Sequence, residues 1–460
     1  MIRQERKGQA MALSSLTCIF IIIPLTVVLY RLVPVRARMA LLLAVSLLFY
    51  AWGGPKYVLF LLLSTAFDYF AVLEIADFRS RRLHRAARRS LLLAVGVHVA
   101  ALCVFKYTAL AMPVGISFYT FSSISVLIDV YRGEAEAETN PLYLALYIAF
   151  FPKITSGPIV RWRDMEDVMK APVITVEDTG QGVRLFFMGL FKKVLIADSL
   201  GRAFASVGAL PEMAAVTAIL GMIFYSLQLY FDFSGYSDMA IGLSRLFGFR
   251  FAENFHYPYL SGSVTEFWRR WHISLGAFFR DYVYIPLGGN RCSIQAQIRN
   301  LLVVWALTGI WHGSTLNFLF WGLYHGFFIL LERFVLKGRQ EALPPPVRIL
   351  FTDIIAFVGW VFFFSPSLGS AFAYLGKMIG TDGLGFWNGM TTFLLRENAL
   401  LLLTAVLLCG PWIRNLHDSL VYREGGAWRT ASQVLFVVLT ICSVAALVSA
   451  TYTSFLYFQF

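Results

Sequence analysis

Long apolar runs separated by short polar or basic connections recur along the whole 460-residue chain. A helix that crosses a membrane needs about 20 predominantly apolar residues, and many of these runs approach or reach that length. The predicted apolar segments are residues 11–30, 40–52, 57–75, 91–105, 114–130, 183–200, 214–231, 239–247, 301–310, 316–331, 348–364, 397–412 and 433–450, of which 183–200 is a helix interrupted by Lys192 and Lys193. The pattern predicts an all-α polytopic membrane protein with about 11–13 membrane segments.

Three stretches depart from the pattern of a simple span. Residues 141–151 are too short to cross and run into Pro152, which predicts a re-entrant or oblique segment buried in protein or lining water. Residues 232–238 are polar and predict a hinge between two apolar runs. An apolar stripe at spacings of three and four predicts one interfacial helix over 267–282. Its members are Phe267, Trp271, Leu275, Phe278 and Tyr282.

Composition supports this assignment, because 58% of the residues are hydrophobic and only 14% are charged. Soluble domains carry about 25% charged residues. We therefore predict a single membrane domain over residues 12–460, preceded by a basic N-terminal extension, residues 1–11.

The net charge of +12 is concentrated in loops such as 79–89. Basic loops of this kind are typical of the cytoplasmic side, beside anionic lipids, and do not indicate nucleic-acid binding. If these loops are cytoplasmic, the N-terminus is predicted to lie outside.

The stretch 305–326 carries the first candidate for chemistry, His312, between Trp311 and Gly313. An ionisable residue in an apolar run indicates a functional site by default. A neutral imidazole there can take a proton from a hydroxyl group, and the indole can exclude water. The alternative is a histidine that is hydrogen-bonded between helices. For His325, in the same stretch, the structural role is favoured.

A second histidine, His272, lies on the predicted interfacial helix beside Trp268, Arg269 and Arg270. Guanidinium groups match phosphate oxygens and can hold a phosphate-bearing donor. For these two arginines alone, contact with lipid headgroups is the favoured alternative.

Asp232 lies near Tyr236 at membrane depth, and a carboxylate there either pairs with a cation or faces a wet cavity. The possible cations are Lys153, Lys192, Lys193 and Arg245.

Several kinds of catalytic signature do not occur in the sequence. There is no Gly-x-Ser-x-Gly elbow, phosphate loop or dinucleotide fingerprint, and the five cysteines have no metal or redox spacing. We therefore expect chemistry without a metal or a covalent serine. A membrane histidine acting on a hydroxyl group fits acyl transfer from an activated donor.

Motifs in a fixed order extend this interpretation from residue 12 to 330. They are FYAWGGPKY (49–57), PVGISFYTF (113–121), DVYRG (129–133), FPKITSGPI (151–159), YFDFSGYSDMAIG (230–242), EFWRRWHISL (266–275), RDYVYIPLGGNR (280–291) and GIWHG (309–313). The chain resembles the membrane-bound O-acyltransferases, in the bacterial branch of alginate O-acetylation proteins. The branch that exports D-alanine toward teichoic acid is its neighbour.

The resemblance implies a ring of tilted helices around a central tunnel, with His312 as the catalytic residue and His272 as the second active-site position. It implies no bound cofactor, an acyl donor on the cytoplasmic side (acetyl-CoA or an acyl carrier protein) and an extracytoplasmic acetyltransferase partner that modifies polysaccharide. The location implied is the bacterial inner membrane. Two residues depart from the expected pattern: His256 stands in place of asparagine, and Lys153 in place of glutamine.

The function predicted is an O-acyltransferase, with acetyl favoured and with His312 as general base. D-alanyl transfer is the alternative within this class. A transporter with histidine proton relays is the alternative from another class, although no internal repeat is visible. Residues predicted to contact donor or acceptor are Trp311, Trp268, Arg269, Arg270, Lys153, Asp232 and Tyr236.

Overall fold

The computed structural model describes residues 11–424 and 426–449. The predicted N-terminal extension, apart from Met11, lies outside these residues. Throughout the described ranges the regular structure is helical and contains no strand, which confirms the all-α class. The chain forms two compact units: one comprises the residues up to Gly189 together with Tyr236–Glu253, and the other comprises Leu190–Gly235 and the residues from Asn254 onward. The single domain and the ring around a tunnel stay predictions.

The first unit is built mainly from the nine helices of the N-terminal part of the chain. They are α1 (Ile23–Leu32), α2 (Val35–Gly53), α3 (Pro55–Ser80), α4 (His84–Tyr107), α5 (Ile116–Arg132), α6 (Pro141–Ala149), α7 (Phe151–Ile154), α8 (Glu166–Lys170) and α9 (Val176–Phe191), with a π-turn at Cys18–Ile22 and a 3₁₀ turn at Trp162–Asp164. Proline begins α3 and α6, where its missing N–H has no helical partner to lose. The short, buried pair α6 and α7 occupies the segment predicted to be re-entrant.

A buried polar cluster joins three helices of this unit. Asp68 on α3 contacts His98 on α4 at 2.5 Å, and the hydroxyl of Ser123 on α5 donates to the same carboxylate at 2.5 Å. Charged groups at such depth are costly unless they are hydrogen-bonded, so this cluster specifies how α3, α4 and α5 pack.

The second unit contains the remaining helices. They are α10 (Asp198–Gly208), the first part of α11 (Ala215–Arg245), α12 (Val264–Arg270), α13 (Ile273–Phe279), α14 (Ile294–His312), α15 (Leu316–Leu330), α16 (Pro345–Phe364), α17 (Leu368–Met378), α18 (Gly389–Leu408), α19 (Trp412–Glu424) and α20 (Gly426–Ser449), with π-turns at Lys192–Ala197, Arg280–Tyr284 and Leu331–Leu336 and 3₁₀ turns at Pro258–Leu260 and Arg339–Ala342.

Two local predictions are wrong. The polar stretch 232–238 is not a hinge, because it lies within α11, a continuous helix of 31 residues. Asp232 pairs there with a buried lysine instead of facing solvent. The predicted interfacial helix over 267–282 is broken at His272, which has a left-handed backbone with φ of 47°. The N–H of Ile273, after the break, donates to the Asn254 carbonyl, which satisfies a donor that the broken helix leaves free.

Eight helices of the described chain are long and apolar enough to cross a membrane: α2, α3, α4, α11, α15 with its following π-turn, α16, α18 and α20. The most apolar stretch of α20 is only 6% buried within the protein, and that of α4 only 17%. Such apolar surface matches hydrocarbon rather than water. The polytopic prediction is confirmed; the larger total of about 11–13 also counts shorter apolar segments such as α1.

Candidate functional site

His312 is the last residue of α14, where the helix ends at an extended Gly313. Helix α14 packs unusually closely against α15, the helix that follows His312. A Cβ on Gly309 would lie 2.4 Å from the Phe318 carbonyl oxygen, and a Cβ on Gly322 would lie 2.3 Å from that of Trp305. Only glycine permits this approach, so Gly309 and Gly322 allow the close hairpin of α14 and α15 that carries the histidine.

Among the described residues, the aromatic rings of Trp311, Trp321 and Phe363 contact the His312 imidazole, which is 4% exposed. Its ring centroid lies 4.5 Å from that of Trp311, 5.0 Å from that of Trp321 on α15 and 5.1 Å from that of Phe363 on α16. These walls exclude water from the ring. A hydrogen bond to the imidazole is electrostatically stronger in such a site than in water. Trp311 therefore lies where the sequence predicted, beside the histidine.

His272 is also buried, at the N-cap of α13, with 2% exposure. The Asn254 side-chain oxygen lies 3.3 Å from its Nδ1 and accepts from the N–H of Ser274 at 3.1 Å. An acceptor at Nδ1 fixes the proton there and leaves the lone pair on Nε2. Burial lowers the pKa of His272 to about 3, so the imidazole is neutral at physiological pH.

A continuous series of rings joins the surroundings of the two histidines within the second unit. Trp271, next to His272, lies 4.8 Å from Trp360, and Trp360 stacks on Trp321 at 5.8 Å. Trp321 in turn contacts His312. The structure thus brings both predicted histidines into one aromatic cluster.

Trp268 and His325 belong to the same cluster. The Trp268 ring lies 5.5 Å from Trp321 and 4.8 Å from His325. His325 is fully buried, and within the described chain neither of its ring nitrogens has a hydrogen-bond partner. Its Nε2 faces Gly359 on α16, where an added Cβ would lie only 2.4 Å away.

Asp232 lies in a buried ion cluster. Lys193 contacts Asp232 at 2.9 Å and Asp198 at 2.5 Å, and all three side chains are less than a tenth exposed. Of the two alternatives for Asp232, the ion pair is the arrangement found, with Lys193 as the cation. Sequence reasoning missed Asp198; its spacing of five from Lys193 spans the π-turn.

The other predicted binding residues have separate environments. Arg270 pairs with Glu266 at 2.5 Å, whereas Arg269 is exposed. Lys153 and Tyr236 belong to the first unit, where Tyr236 shares a hydrogen bond with the hydroxyl of Thr155.

No group of three or more potential metal ligands occurs in the part of the chain that the structure describes. Residues that only the structure identifies are Trp321, Phe363 and Asn254. No local pattern marks the first two. Asn254 lies two residues before His256 in an aromatic loop, a weak signal.

Fold and site together define a polytopic helical membrane protein with two buried imidazoles in an aromatic cluster. Residues 134–375 match the family model described as MBOAT, membrane-bound O-acyltransferase family. The chain belongs to this family and is a membrane O-acyltransferase. The resemblance seen in the sequence is confirmed, as is the predicted localisation, an integral protein of the bacterial inner membrane.

Three bacterial relatives indicate the range of activities in the family. The chain is 36% identical to the probable alginate O-acetylase AlgI of Azotobacter vinelandii, over 98% of this chain and 100% of that protein. It is 32% identical to the peptidoglycan O-acetyltransferase of Helicobacter pylori, over 82% of this chain and 81% of the relative. It is also 32% identical to the teichoic acid D-alanyltransferase of Bacillus subtilis, over 49% of this chain and 60% of that protein.

Proposed function

We propose that this chain moves an acyl group, with acetyl favoured, from a cytoplasmic donor across the membrane for O-acetylation of an extracytoplasmic polysaccharide. The observation that carries the proposal is the buried His312 imidazole enclosed by Trp311, Trp321 and Phe363. The names of the relatives that match the chain over most of its length, an alginate O-acetylase and a peptidoglycan O-acetyltransferase, support acetyl as the group and a polysaccharide as its destination.

His312 acts as the general base in this proposal. It takes the proton of an acceptor hydroxyl while the hydroxyl oxygen attacks the carbonyl carbon of an acyl thioester. The new C–O bond forms, the C–S bond breaks, and the proton passes from the imidazole to the leaving thiolate. The aromatic walls keep out water, which would otherwise compete as the acceptor.

His272 orients the acceptor. Because Asn254 holds the proton on Nδ1, the Nε2 lone pair accepts a hydrogen bond from a hydroxyl group rather than donating one. Trp268 and Trp311 form walls of the site, and Arg269, which is exposed, can meet donor phosphates. We assign Asp232 and Arg270 to ion pairs that support the site, since each already has a charged partner.

The proposal also covers the donor and the partner. Acetyl-CoA is the favoured donor and an acyl carrier protein the alternative, and an extracytoplasmic acetyltransferase is the proposed partner that completes modification of the polymer. D-alanyl transfer is the second candidate, because the Bacillus subtilis D-alanyltransferase resembles about half of this chain.

The test uses membrane vesicles, labelled acetyl-CoA and three forms of the full chain: wild type, His312→Ala and the control His84→Ala, whose side chain is exposed. We expect alkali-labile ester label on an acceptor with the wild type and the control, and a loss of about 10²-fold or more with His312→Ala at equal protein level. Transfer by His312→Ala at the wild-type rate would contradict the proposed base. Entry of intact donor without ester would favour a transporter, and label that passes only from a D-alanyl carrier protein would favour the D-alanyl branch.

A further inference from the structure

Three arginines of the first unit lie together where the ends of four helices meet. Arg31 is in the last turn of α1, Arg38 is in the first turn of α2, and Arg245 is the last residue of α11. A terminal nitrogen of Arg31 donates to the hydroxyl oxygen of Thr179 on α9 at 2.9 Å. A terminal nitrogen of Arg245 donates to the side-chain oxygen of Gln181 on the same helix at 2.5 Å. Two of the guanidinium groups therefore lie beside the first turns of α9.

A buried tyrosine connects the third arginine to the other two. The guanidinium carbon of Arg38 lies 5.1 Å from the centre of the Tyr30 ring, and Tyr30 precedes Arg31 in the chain. The Tyr30 hydroxyl donates to the carbonyl oxygen of Phe247, two residues after Arg245, at 3.0 Å. Tyr30 thus holds the ends of α1, α2 and α11 beside one another.

The contact between α9 and α11 is as close as two backbones allow. A Cβ added to Gly182 would lie 2.8 Å from the carbonyl oxygen of Gly242, and a Cβ added to Gly242 would lie 2.5 Å from that of Gly182. Only glycine fits at both positions. Gly182 follows Gln181, and Gly242 lies about one helical turn before Arg245. The glycine contact therefore fixes the position of Arg245 on α9.

These arginines carry positive charge without a paired carboxylate among the described residues. The Nε atoms of Arg38 and Arg245 have no hydrogen-bond partner there, and Arg38 makes no hydrogen bond at all within the described chain. The two carboxylates in the first turn of α9 are engaged elsewhere. Asp178 pairs with Arg250 at 2.8 Å, and Glu177 accepts a hydrogen bond from a side-chain amide of its own helix at 2.8 Å. Guanidinium groups match the oxygens of a phosphate, so the three arginines fit a phosphate-bearing anion.

The surface beside Arg31 indicates that this anion belongs to a lipid. Leu25, Val28 and Leu32 on α1 follow one another at spacings of three and four, and each side chain is more than half exposed. Such an apolar stripe on the outside of a membrane protein lies against acyl chains. The stripe ends in the turn that carries Arg31. The basic connection between α1 and α2 is typical of the cytoplasmic side, where anionic headgroups are abundant.

We propose that Arg31, Arg38 and Arg245 form a binding site for the phosphate of an anionic phospholipid, whose acyl chains lie along the exposed stripe of α1. The bound lipid connects the ends of α1, α2 and α11 and so stabilises the first unit. His312 belongs to the second unit, and lipid binding at the arginines does not depend on acyl transfer.

The experiment uses the purified full chain, delipidated in a neutral detergent, and two lipids with the same acyl chains, dioleoylphosphatidylglycerol and dioleoylphosphatidylcholine. Native mass spectrometry measures the lipid that is retained, and size-exclusion chromatography after graded heating follows the folded fraction. We expect the wild type to retain phosphatidylglycerol in preference to phosphatidylcholine and to be stabilised more by it. Added salt should weaken this preference, because it screens the charges.

Arg38→Gln is the decisive variant. Arg38 has no hydrogen bond to lose within the described chain, so the variant should fold like the wild type. Its affinity for phosphatidylglycerol should fall about tenfold or more, because charge-assisted hydrogen bonds to the phosphate are lost. Arg81→Gln is the matched control, since Arg81 is an exposed arginine of the same unit that pairs with Asp77 at 2.9 Å. It should retain phosphatidylglycerol like the wild type.

Four results would overturn the proposal. They are equal retention of the two lipids by the wild type, unchanged retention by Arg38→Gln, an equal loss in Arg38→Gln and Arg81→Gln, and stabilisation by free glycerol phosphate as strong as that by phosphatidylglycerol. The last result would assign the arginines to a soluble phosphate instead of a lipid.

Discussion

The buried ion cluster of Lys193, Asp198 and Asp232 gives a stability prediction that can be worked from the structure. Lys193→Met removes the cation and leaves two carboxylates, 8% and 1% exposed, without it. Removing one partner of a buried pair costs about 3–5 kcal/mol. We expect a loss of at least this size, because two carboxylates are affected.

The exposed pair of Lys170 and Glu166, at 3.0 Å, supplies the control. Lys170→Met should cost about 1 kcal/mol or less, since exposed pairs contribute little. The measurement is size-exclusion chromatography of detergent-solubilised protein after graded heating, which follows the folded fraction.

A compensated variant makes the test specific to charge. Adding Asp198→Asn and Asp232→Asn to Lys193→Met removes all three charges, and a buried ion cluster can be replaced by neutral groups at little net cost. Most of the lost stability should return. If Lys193→Met is as stable as Lys170→Met, or if the triple variant is no better than the single one, the ion cluster is not what stabilises this region.

Two further predictions concern the aromatic cluster. Gly359→Ala puts a Cβ 2.4 Å from Nε2 of His325, and the overpacking should cost about 1–3 kcal/mol and lower turnover. Gly180→Ala on α9, where a Cβ meets nothing within 4 Å, should leave turnover unchanged and should not lower stability, because alanine is the better helix former. Equal effects of the two variants in thermal stability and acyl transfer would contradict this packing. Asn254→Ala removes the acceptor at Nδ1 of His272 and should lower the acyl-transfer rate about tenfold; an unchanged rate would argue against a fixed tautomer.

Much of the fold follows from apolar patterning, because every membrane-crossing helix must satisfy its own backbone hydrogen bonds. Patterning fails where tertiary partners decide the local structure. The stretch around Asp232 looks like a hinge in sequence, yet it stays helical because Lys193 neutralises its charge. The helix through His272 breaks because Asn254, in a preceding loop, supplies the hydrogen bonds at the break.

The site could be predicted only in part. His312 is conspicuous because an imidazole is costly in an apolar run. Its walls, Trp321 and Phe363, come from other helices and carry no signal of their own. His272 stands out through the family resemblance and through its aromatic and basic neighbours. The catalytic roles of both histidines stay predictions.

Glycan mass analysis tests whether His312 is the base of an O-acyltransferase that acts on a polysaccharide. A strain lacking the chain is complemented with the wild type or with His312→Ala, at protein levels matched by immunoblotting of the membranes. We expect an acetyl ester on the glycan with the wild type and its loss with His312→Ala. Equal ester content in the two complemented strains would contradict it.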